Sequence, residues 1–429
     1  MGVPLVVNFH LQEIWGGQPK YADMLSRELV ERGVSTLCIT GRPMPEWGPA
    51  PYPVISVPTV PDREQQPYEV LPKELLWDHA DYCAMQAWPH VRGAVAAHIG
   101  SADGVILHGH SLDGALVAAR IERRLQSAGV PMQVRLAATV HSLGIEKIRA
   151  MSVRSSPPLV NQLRRRLLLE AQHYTRAGCS GGVVVATNFA RDLLAKETDL
   201  PLPSITVCPP GVDHQLFHPR RAPDELEQFR NDFSVPAHAQ VILSSGRMDS
   251  TKNHETALRA FARIRKDCPS AYLLILGGGS NGEDHAYRRG LESLAAMLCV
   301  GDHVRIRSGI PHEAMPAVYR SVDVLVVPEW FGHWNMTVSE ALACGTSVVA
   351  SCHTGAARDG ARMQAVVIVD PEDVDDVANA MKHVLCDDTV RDRLARQAIA
   401  YARKLTWSRA VDVLLGQLRE AGSAPPAGG

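Results

Sequence analysis

Two cationic side chains follow a predicted strand in the segment "VILSSGRMDSTKN", residues 241–253. The apolar letters predict a buried strand, so Arg247 and Lys252 fall in the loop at its carboxyl end, before a helix that begins after Asn253. Loops at this end of the strands hold ligands in open α/β sheets. A guanidinium offers a fork of donors and an ammonium a point charge, so this pair is suited to clamp a diphosphate. A solvated loop carries the same residue types, and the pattern alone leaves both interpretations open.

A second chemical element is the segment "VVPEWFGHWNMTVSEALACGTSVVAS", residues 326–351. It predicts an apolar strand, a crowded turn, and then a helix with Asn335, Met336 and Thr337 at its N-terminus. Free amides at a helix N-terminus form an anion site. Glu340 lies one turn inside that helix, where it would repel a phosphate unless it bound hydroxyls such as the vicinal pair of a ribose. Together the two segments predict a nucleoside diphosphate site, although an exposed helical glutamate is the simpler interpretation of Glu340 alone.

Short apolar runs alternate with amphipathic helical stretches along the whole chain, which predicts two doubly wound, parallel α/β sheets. The runs are "PLVVNF", "STLCIT", "GVILHGH", "RLAATVHS" and "GGVVVATN" in the first half and "QVILSSG", "AYLLILGGG", "HVRIRSG", "VDVLVVPE", "SVVAS" and "AVVIVD" in the second. Proline-rich sequence near Pro209 separates them. We therefore predict Rossmann-like domains at 1–210 and 235–405 that face an interdomain cleft, with a linker at 211–234. A terminal helix at 406–421 would cross back to the first domain, and a disordered tail would follow at 422–429.

Composition excludes several classes of protein. The 429 residues carry a net charge of −2, so no electrostatic footprint points to nucleic acid or to a membrane surface. No run approaches the roughly 20 apolar residues of a membrane span. The nine cysteines are scattered without a CxxC pair, which favours reduced thiols. The N-terminus reads as a strand and not as a signal peptide, so we expect a cytoplasmic protein.

The motifs resemble those of the retaining glycosyltransferases of family 4, which have the two-domain GT-B fold. "GRMDSTKN" resembles the family's arginine–lysine loop, "SEALACGTSVVAS" its second-glutamate helix, "CPPGVDHQLFHP" the segment before the linker, and "TWSRAVDVLL" the terminal helix. "LHGHSLDGA" and "VHSLGIEK" resemble the sucrose-phosphate-synthase branch. The resemblance implies a nucleotide-sugar donor. The residues that it implies bind this donor are Gly16, Gly17, Arg247, Lys252, Arg305, Asn335, Met336, Thr337 and Glu340.

The resemblance also assigns roles within that set and in the first domain. Arg247 and Lys252 would neutralise the diphosphate, Arg305 would lie near the base, and His141 would lie against the transferring sugar. The catalytic set is then Arg247, Lys252 and His141. His110 would lie near the acceptor, and the alternative interpretation of both histidines is a satisfied histidine at a strand end. The expected acceptor-binding residues are Glu13, Lys20, His110, Asp113, Ser142 and Lys147.

One position departs from the family's pattern. Family members usually carry a first glutamate, which contacts donor-sugar hydroxyls, eight residues before the second. Here that position is Gly332, and Glu329 lies three residues too early. A rearranged loop would be needed to bring Glu329 near. The nucleotide site is therefore predicted to be intact, while the contact to the sugar is altered.

The acceptor is predicted from the charges of the first domain's loops. Glu13, Asp113 and Glu146 accompany Lys20 and Lys147 there, whereas the arginines at 164–166 lie in a helical run. Carboxylates bind an ammonium and repel a phosphate. The family also serves aminoglycoside antibiotic pathways, so we favour an amino-sugar or aminocyclitol acceptor over a sugar phosphate.

The expected reaction is a metal-independent transfer with retention, without a cofactor, because two fixed cations can take the place of a divalent ion. A sugar-nucleotide 2-epimerase is an alternative on the same architecture. A dinucleotide oxidoreductase is another, but "GGGSNG" at 277–282 follows the second strand of its domain and not the first.

Overall fold

The computed structural model describes residues 3–11, 17–41, 49–57, 73–143, 182–198, 200–277 and 283–420. The chain falls into two compact units. The first combines Met1–Pro210 with Trp407–Gly429, and the second is Gly211–Thr406. Each unit is built on one parallel sheet, which confirms the predicted doubly wound α/β class. No helix in the described part of the chain is long and apolar enough to span a membrane.

The sheet of the first unit has seven parallel strands in the order β3-β2-β1-β4-β5-β6-β7. They are β1 (Leu5–His10), β2 (Thr36–Thr40), β3 (Val54–Ser56), β4 (Gly104–His110), β5 (Gln133–Thr139), β6 (Val183–Val185) and β7 (Ile205–Val207). The central strands β1 and β4 are almost wholly buried, as continuous apolar runs predict for a sheet covered on both faces.

Helices cover this sheet at Gly17–Glu31, Lys73–His98, Ser111–Ser127, Asn188–Thr198 and Trp407–Glu420. Helix Gly17–Glu31 ends before Gly33, whose φ of 76° is a conformation that favours glycine. Helix Trp407–Glu420 packs in this unit, where Arg32 Nη1 donates to Asp412 Oδ1 over 2.6 Å. The tail predicted at 422–429 lies outside the described residues.

Two glycines allow helix Ser111–Ser127 to approach the sheet. A Cβ on Gly114 would lie 2.2 Å from the carbonyl oxygen of Phe9, and a Cβ on Gly109 would lie 2.4 Å from the backbone nitrogen of Ala115. No side chain fits at either position without moving backbone. The close approach buries the start of this helix against the carboxyl ends of β1 and β4.

The sheet of the second unit has six parallel strands in the order β10-β9-β8-β11-β12-β13. They are β8 (Gln240–Ser245), β9 (Ala271–Gly277), β10 (Val304–Ser308), β11 (Val324–Val327), β12 (Ser347–Ser351) and β13 (Val366–Val369). Its helices are Glu225–Phe233, His254–Ile264, Glu283–Met297, Met315–Ser321, Met336–Ala343, Gly355–Arg362, Val374–Cys386 and Asp388–Ala402.

Residues 211–234 were predicted to form a linker, but the structure shows them as part of the second unit. They contain helix Glu225–Phe233. Arg320 binds the carboxylate of Glu225 through two nitrogens at 2.8 and 2.6 Å, and both side chains are largely buried. Phe217 is fully buried as well. These tertiary contacts fix residues whose composition alone is typical of a connection.

Each sheet has a point at which the strand order reverses. In the first unit it lies between β1 and β4, and in the second between β8 and β11. At such a point the loops that leave two neighbouring strands run to opposite sides, which opens a crevice at the carboxyl ends. The fold therefore singles out two places for chemistry, one in each unit.

Candidate active site

The loops after β8 and β11 meet at the crevice of the second unit. The Trp330 amide donates to the Thr251 carbonyl over 3.0 Å, and Asn253 Nδ2 donates to the Pro328 carbonyl over 2.8 Å. Asn253 adopts a φ of 54°, which ends the turn that carries Lys252 and starts helix His254–Ile264. The loop with the predicted cations and the turn before Glu340 are thus one hydrogen-bonded structure.

His254 holds the backbone at Arg247. Its Nδ1 lies 2.8 Å from Ser244 Oγ, and its Nε2 lies 3.1 Å from the Arg247 carbonyl oxygen. A carbonyl only accepts, so Nε2 carries the proton. Burial lowers the pKa of His254 to about 4, so the ring is neutral and Nδ1 accepts from the serine. This buried bridge, which sequence reasoning missed, fixes where the Arg247 loop leaves the strand.

Arg247 itself reaches out of the loop. Its Nε donates to Asp249 Oδ2 over 2.7 Å, and its side chain is 48% exposed. Burial would raise the pKa of Asp249, but the Arg247 charge and the hydrogen bonds from Thr251 outweigh burial and lower it. Asp249 is therefore a carboxylate that orients Arg247 through Nε and leaves the guanidinium accessible.

Lys252 is paired with a buried carboxylate. Its Nζ lies 2.6 Å from Glu329 Oε2, and the Glu329 side chain is wholly inaccessible to solvent. The other oxygen of Glu329 accepts from Asn335 Nδ2 and from Thr354 Oγ1, each over 2.9 Å. The structure thus brings Glu329 against Lys252 and the backbone of Gly332.

Helix Met336–Ala343 begins beside this carboxylate. Asn335, which precedes it, has a φ of 76°, so the chain turns sharply into the helix. The amides of Met336 and Thr337 form its first turn, as predicted. Glu340 follows on the same helix and is only 4% exposed.

The surroundings of Glu340 join three further elements. His312 Nε2 lies 3.7 Å from Glu340 Oε1. Burial and then the charge of Glu340 raise the pKa of Tyr319 well above its usual value, while hydrogen bonds with Thr337 and Ser245 act in the opposite direction. The neutral Tyr319 hydroxyl links the end of β8 to the first turn of the Glu340 helix, and sequence reasoning did not identify it.

Arg305 is a correction. It lies near the start of the edge strand β10, not at its carboxyl end, and its guanidinium donates to the carbonyls of Asp302 and Ser234 over 2.8 and 3.3 Å. It also stacks over Tyr272. Asp302 and Ser234 precede β10 and β8, and Tyr272 is the second residue of β9. Arg305 is therefore held at the amino ends of the strands, whereas Arg247 follows the carboxyl end of β8. The structure does not bring it to the predicted site of the base.

Among the described residues, no group of three or more His, Cys, Asp or Glu side chains is arranged to hold a metal ion. The crevice of the second unit instead presents two cations, an amide-bearing helix start and one further carboxylate, Glu340.

Histidines dominate the crevice of the first unit. His10 ends β1 and His110 ends β4, and Gln18 Nε2 lies 3.4 Å from both His10 Nδ1 and the His110 carbonyl oxygen. His108 Nδ1 donates to Asn8 Oδ1 over 2.8 Å. The "HGH" spacing places His108 and His110 on one face of β4, a signal from which the sequence could have predicted the cluster.

Burial keeps these rings neutral. It lowers the pKa of His10 to about 4 and that of His108 to about 3, and it lowers the pKa of His110 well below its usual value with help from the neighbouring histidines. His110 Nε2 lies 3.4 Å from Asn8 Oδ1, an atom that only accepts, so Nδ1 of His110 is the acceptor. That nitrogen lies 3.0 Å from His141 Nε2.

The His110 side chain is fully buried and lies against His141, so it presents no exposed surface to the predicted acceptor. The two rings stack with 20° between their planes, and Tyr21 packs edge-on against His141 at 4.8 Å. Tyr21 also packs against Trp407. His141 itself is half-buried.

The other predicted residues of the first unit are only partly brought together. Gly17 begins helix Gly17–Glu31 and is exposed, and Lys20 and Ser142 are half-buried. Asp113 lies in the first turn of its helix and is 3% exposed, about as buried as Glu340. Glu13, Gly16 and Lys147 lie outside the described residues.

Two family models match the chain. The model "Glycosyltransferase Family 4" matches residues 15–216, and "Glycosyl transferases group 1" matches residues 226–404. The chain is 30% identical to a D-inositol 3-phosphate glycosyltransferase of Thermomonospora curvata, over 93% of this chain and 89% of that one. A D-inositol 3-phosphate glycosyltransferase of Stackebrandtia nassauensis is also 30% identical, over 95% and 87%.

Solved structures have the same fold. Sucrose-phosphate synthase from Thermosynechococcus elongatus matches with a TM-score of 0.72 at 22% identity, over 97% of this chain and 98% of that one. Anabaena HepE, in complex with UDP and glucose, matches with a TM-score of 0.70 at 15% identity, over 98% and 99%.

The two α/β units have the GT-B fold, and the family models and relatives identify a glycosyltransferase. The chain belongs to glycosyltransferase family 4.

Proposed function

We propose that this protein transfers a sugar, with retention of anomeric configuration, from a UDP-sugar to a hydroxyl group of a cyclitol. The observation that carries the proposal is the group formed by Arg247, Lys252 and the start of helix Met336–Ala343 at the switch point of the second unit. Positive charge and amide donors in one crevice suit a diphosphate. Glu340, one turn along, is placed for the ribose.

The reaction breaks the bond between the anomeric carbon and the diphosphate oxygen. Negative charge then grows on the diphosphate, and Arg247, Lys252 and the helix amides are preorganised to stabilise it. The acceptor hydroxyl oxygen bonds to the same face of the anomeric carbon, and its proton passes to the leaving oxygen. His141, held by His110 and Tyr21, would border the reacting sugar.

UDP is the proposed nucleotide because HepE, which has the same fold, has been solved in complex with UDP and glucose. Thermal unfolding in the presence of UDP, ADP, GDP and NAD tests the donor class. A ligand that binds only the native protein stabilises it, by about 2.7 kcal/mol at a concentration of 100 Kd. UDP should raise the melting temperature most. Stabilisation by NAD alone would favour an oxidoreductase.

The cyclitol ring is common to two acceptor classes. The curated relatives are named for D-inositol 3-phosphate, a cyclitol phosphate. The loop carboxylates predicted in the first domain favour an aminocyclitol. An aminocyclitol is our first choice, and the relatives' names support the phosphate as the second candidate.

Transfer assays with UDP-glucose and UDP-N-acetylglucosamine separate these candidates. An aminocyclitol, an inositol phosphate and fructose 6-phosphate serve as acceptors, and the release of UDP and the glycosylated product are both measured. Product from the aminocyclitol alone supports the first choice, and product from a phosphate alone overturns it. UDP release without any acceptor, with an epimerised sugar, would indicate a 2-epimerase instead.

Glu340→Gln is expected to weaken UDP binding by about 1–2 kcal/mol, or roughly 5–30-fold, because an amide accepts hydrogen bonds from hydroxyl groups less strongly than a carboxylate does. Isothermal titration calorimetry with UDP measures the change. Glu313→Gln, an exposed carboxylate beside His312, is the matched control and should bind UDP as the wild type does. If Glu340→Gln bound UDP as tightly as the wild type and the control, the ribose contact would be contradicted.

Activity is expected to persist in excess EDTA, because two fixed cations already neutralise the leaving diphosphate in this proposal. Initial rates with and without EDTA, before and after magnesium or manganese is added, provide the measurement. A rate that disappears in EDTA and returns with either metal would show that the two cations are not sufficient.

A further inference from the structure

Glu329 is a fully buried carboxylate whose oxygens are both engaged. Oε2 accepts from Lys252 Nζ over 2.6 Å, while Oε1 accepts from Asn335 Nδ2 and Thr354 Oγ1 over 2.9 Å each. A buried carboxylate is costly unless it is paired and hydrogen-bonded, and this one meets both conditions. With no exposed surface, it cannot itself contact a ligand.

Lys252 is held along its whole length. A Cβ on Gly246 would lie 3.1 Å from Lys252 Cγ and 3.2 Å from Cδ, so the aliphatic stem lies over a glycine at the end of β8. Glu329 then fixes the ammonium at the tip, and 20% of the lysine side chain stays exposed. A flexible lysine would otherwise lose rotamer entropy when it bound a ligand.

The position of Glu329 depends on the absence of a side chain at residue 332. A Cβ on Gly332 would lie 1.9 Å from Glu329 Oε1 and 2.6 Å from its Cδ. The Gly332 backbone cannot move aside easily, since its amide donates to the His353 carbonyl and its carbonyl accepts from the Gly355 amide. The buried carboxylate and any side chain at residue 332 therefore exclude each other.

We propose that Glu329 is the positioning residue for Lys252, and that Gly332 is the residue that permits it. The buried carboxylate of Glu329 orients the ammonium of Lys252, which binds phosphate. Gly332 makes room for that carboxylate and carries no side chain of its own. The proposal rests on the proposed function for the role of Lys252 as a diphosphate ligand.

Glu329→Gln separates the charge from the packing. Its amide oxygen still accepts from Asn335 and Thr354, but its amide nitrogen, a donor, faces the Lys252 ammonium. UDP affinity is measured by calorimetry for the wild type, Glu329→Gln, Lys252→Ala and the double variant. We expect Glu329→Gln to weaken UDP binding about tenfold when Lys252 is present, and less than twofold when it is replaced by alanine, because residues in direct contact are coupled.

Unchanged affinity in Glu329→Gln would overturn the proposal, and so would an equal loss in both lysine backgrounds, which would indicate a purely structural role. Glu225→Gln breaks another buried carboxylate pair of the same unit, with Arg320, and should leave UDP affinity unchanged. If the wild type bound no UDP, the proposed function would fail, and the coupling to Gly332 would then be tested by stability.

Gly332→Ala is expected to lower the melting temperature by roughly 2–10 °C in the wild type, because the new methyl group overpacks against the carboxylate. In a Glu329→Ala background the space is free, so the same substitution should cost little. Gly290→Ala is the control, since a Cβ there meets nothing within 4 Å. An equal effect of Gly332→Ala in both backgrounds, or no effect in either, would contradict the mutual exclusion.

Discussion

Replacing Arg247 with alanine is expected to lower turnover by about 10²–10³-fold and to leave the melting temperature nearly unchanged. The loss follows from the removal of a preorganised charge that faces the leaving diphosphate. Stability should hardly change because the guanidinium is 48% exposed and its partner Asp249 keeps the hydrogen bond from the Thr251 amide. Exposed ion pairs contribute about 0–1 kcal/mol.

Steady-state rates and thermal unfolding of the same preparation test this expectation. Arg263→Ala is the matched control, since Arg263 pairs with Asp375 over 3.0 Å on an exposed face of the same unit. It should keep wild-type turnover. An Arg247→Ala enzyme that retained most of its activity would place the diphosphate elsewhere.

Strands buried on both faces were predictable because they read as continuous apolar runs. "SVVAS" predicts Ser347–Ser351, and "GVILHGH" predicts Gly104–His110, as the structure has them. Strand β3, at the edge of its sheet, has no fully buried residue, and β7 at the opposite edge has only one. Three residues with that exposure carry no periodic signal, so neither strand was predicted.

Helix Lys73–His98 was missed for a different reason. Pro89 lies inside it, and a proline removes one backbone hydrogen bond and normally ends a helix. Tertiary contacts maintain this one: Cys83 and Val91 are fully buried, and Arg120 donates to the Trp77 carbonyl. These contacts join residues that are distant in sequence, so local helix propensity cannot predict them.

The loops of the candidate site were predictable, whereas the convergence of their side chains was not. A cation after one strand and a polar turn after another follow from the alternation of elements. The meeting of Lys252 and Glu329 joins residues 77 positions apart, and it depends on the φ of 76° at Asn335 and on the bare backbone at Gly332. Arg305 was predicted near the base, but it lies near the start of β10 and so reaches the amino ends of the strands. Its position within the strand could not be read from the sequence pattern.

Replacing Lys252 with alanine is expected to lower turnover as severely as the loss of Arg247, about 10²–10³-fold, and also to destabilise the protein. The sequence alone predicts the same result for both cations, an intact fold with little activity. The structure separates them, because Lys252 is the charge partner of a carboxylate with no exposed surface. Removing one member of a buried pair typically costs about 3–5 kcal/mol, and the partial exposure of Lys252 favours the lower end.

Thermal unfolding should therefore show a fall of roughly 6–12 °C for Lys252→Ala in a unit of this size. Adding Glu329→Gln to Lys252→Ala removes the uncompensated charge, so the double variant should recover most of the melting temperature and none of the turnover. Lys382→Ala, which breaks an exposed pair with Asp267, is the control and should change neither quantity. A Lys252→Ala protein as stable as the wild type would mean that Glu329 is not held as a buried charge. Recovery of turnover together with stability in the double variant would mean that Lys252 acts only on the fold and not on the diphosphate.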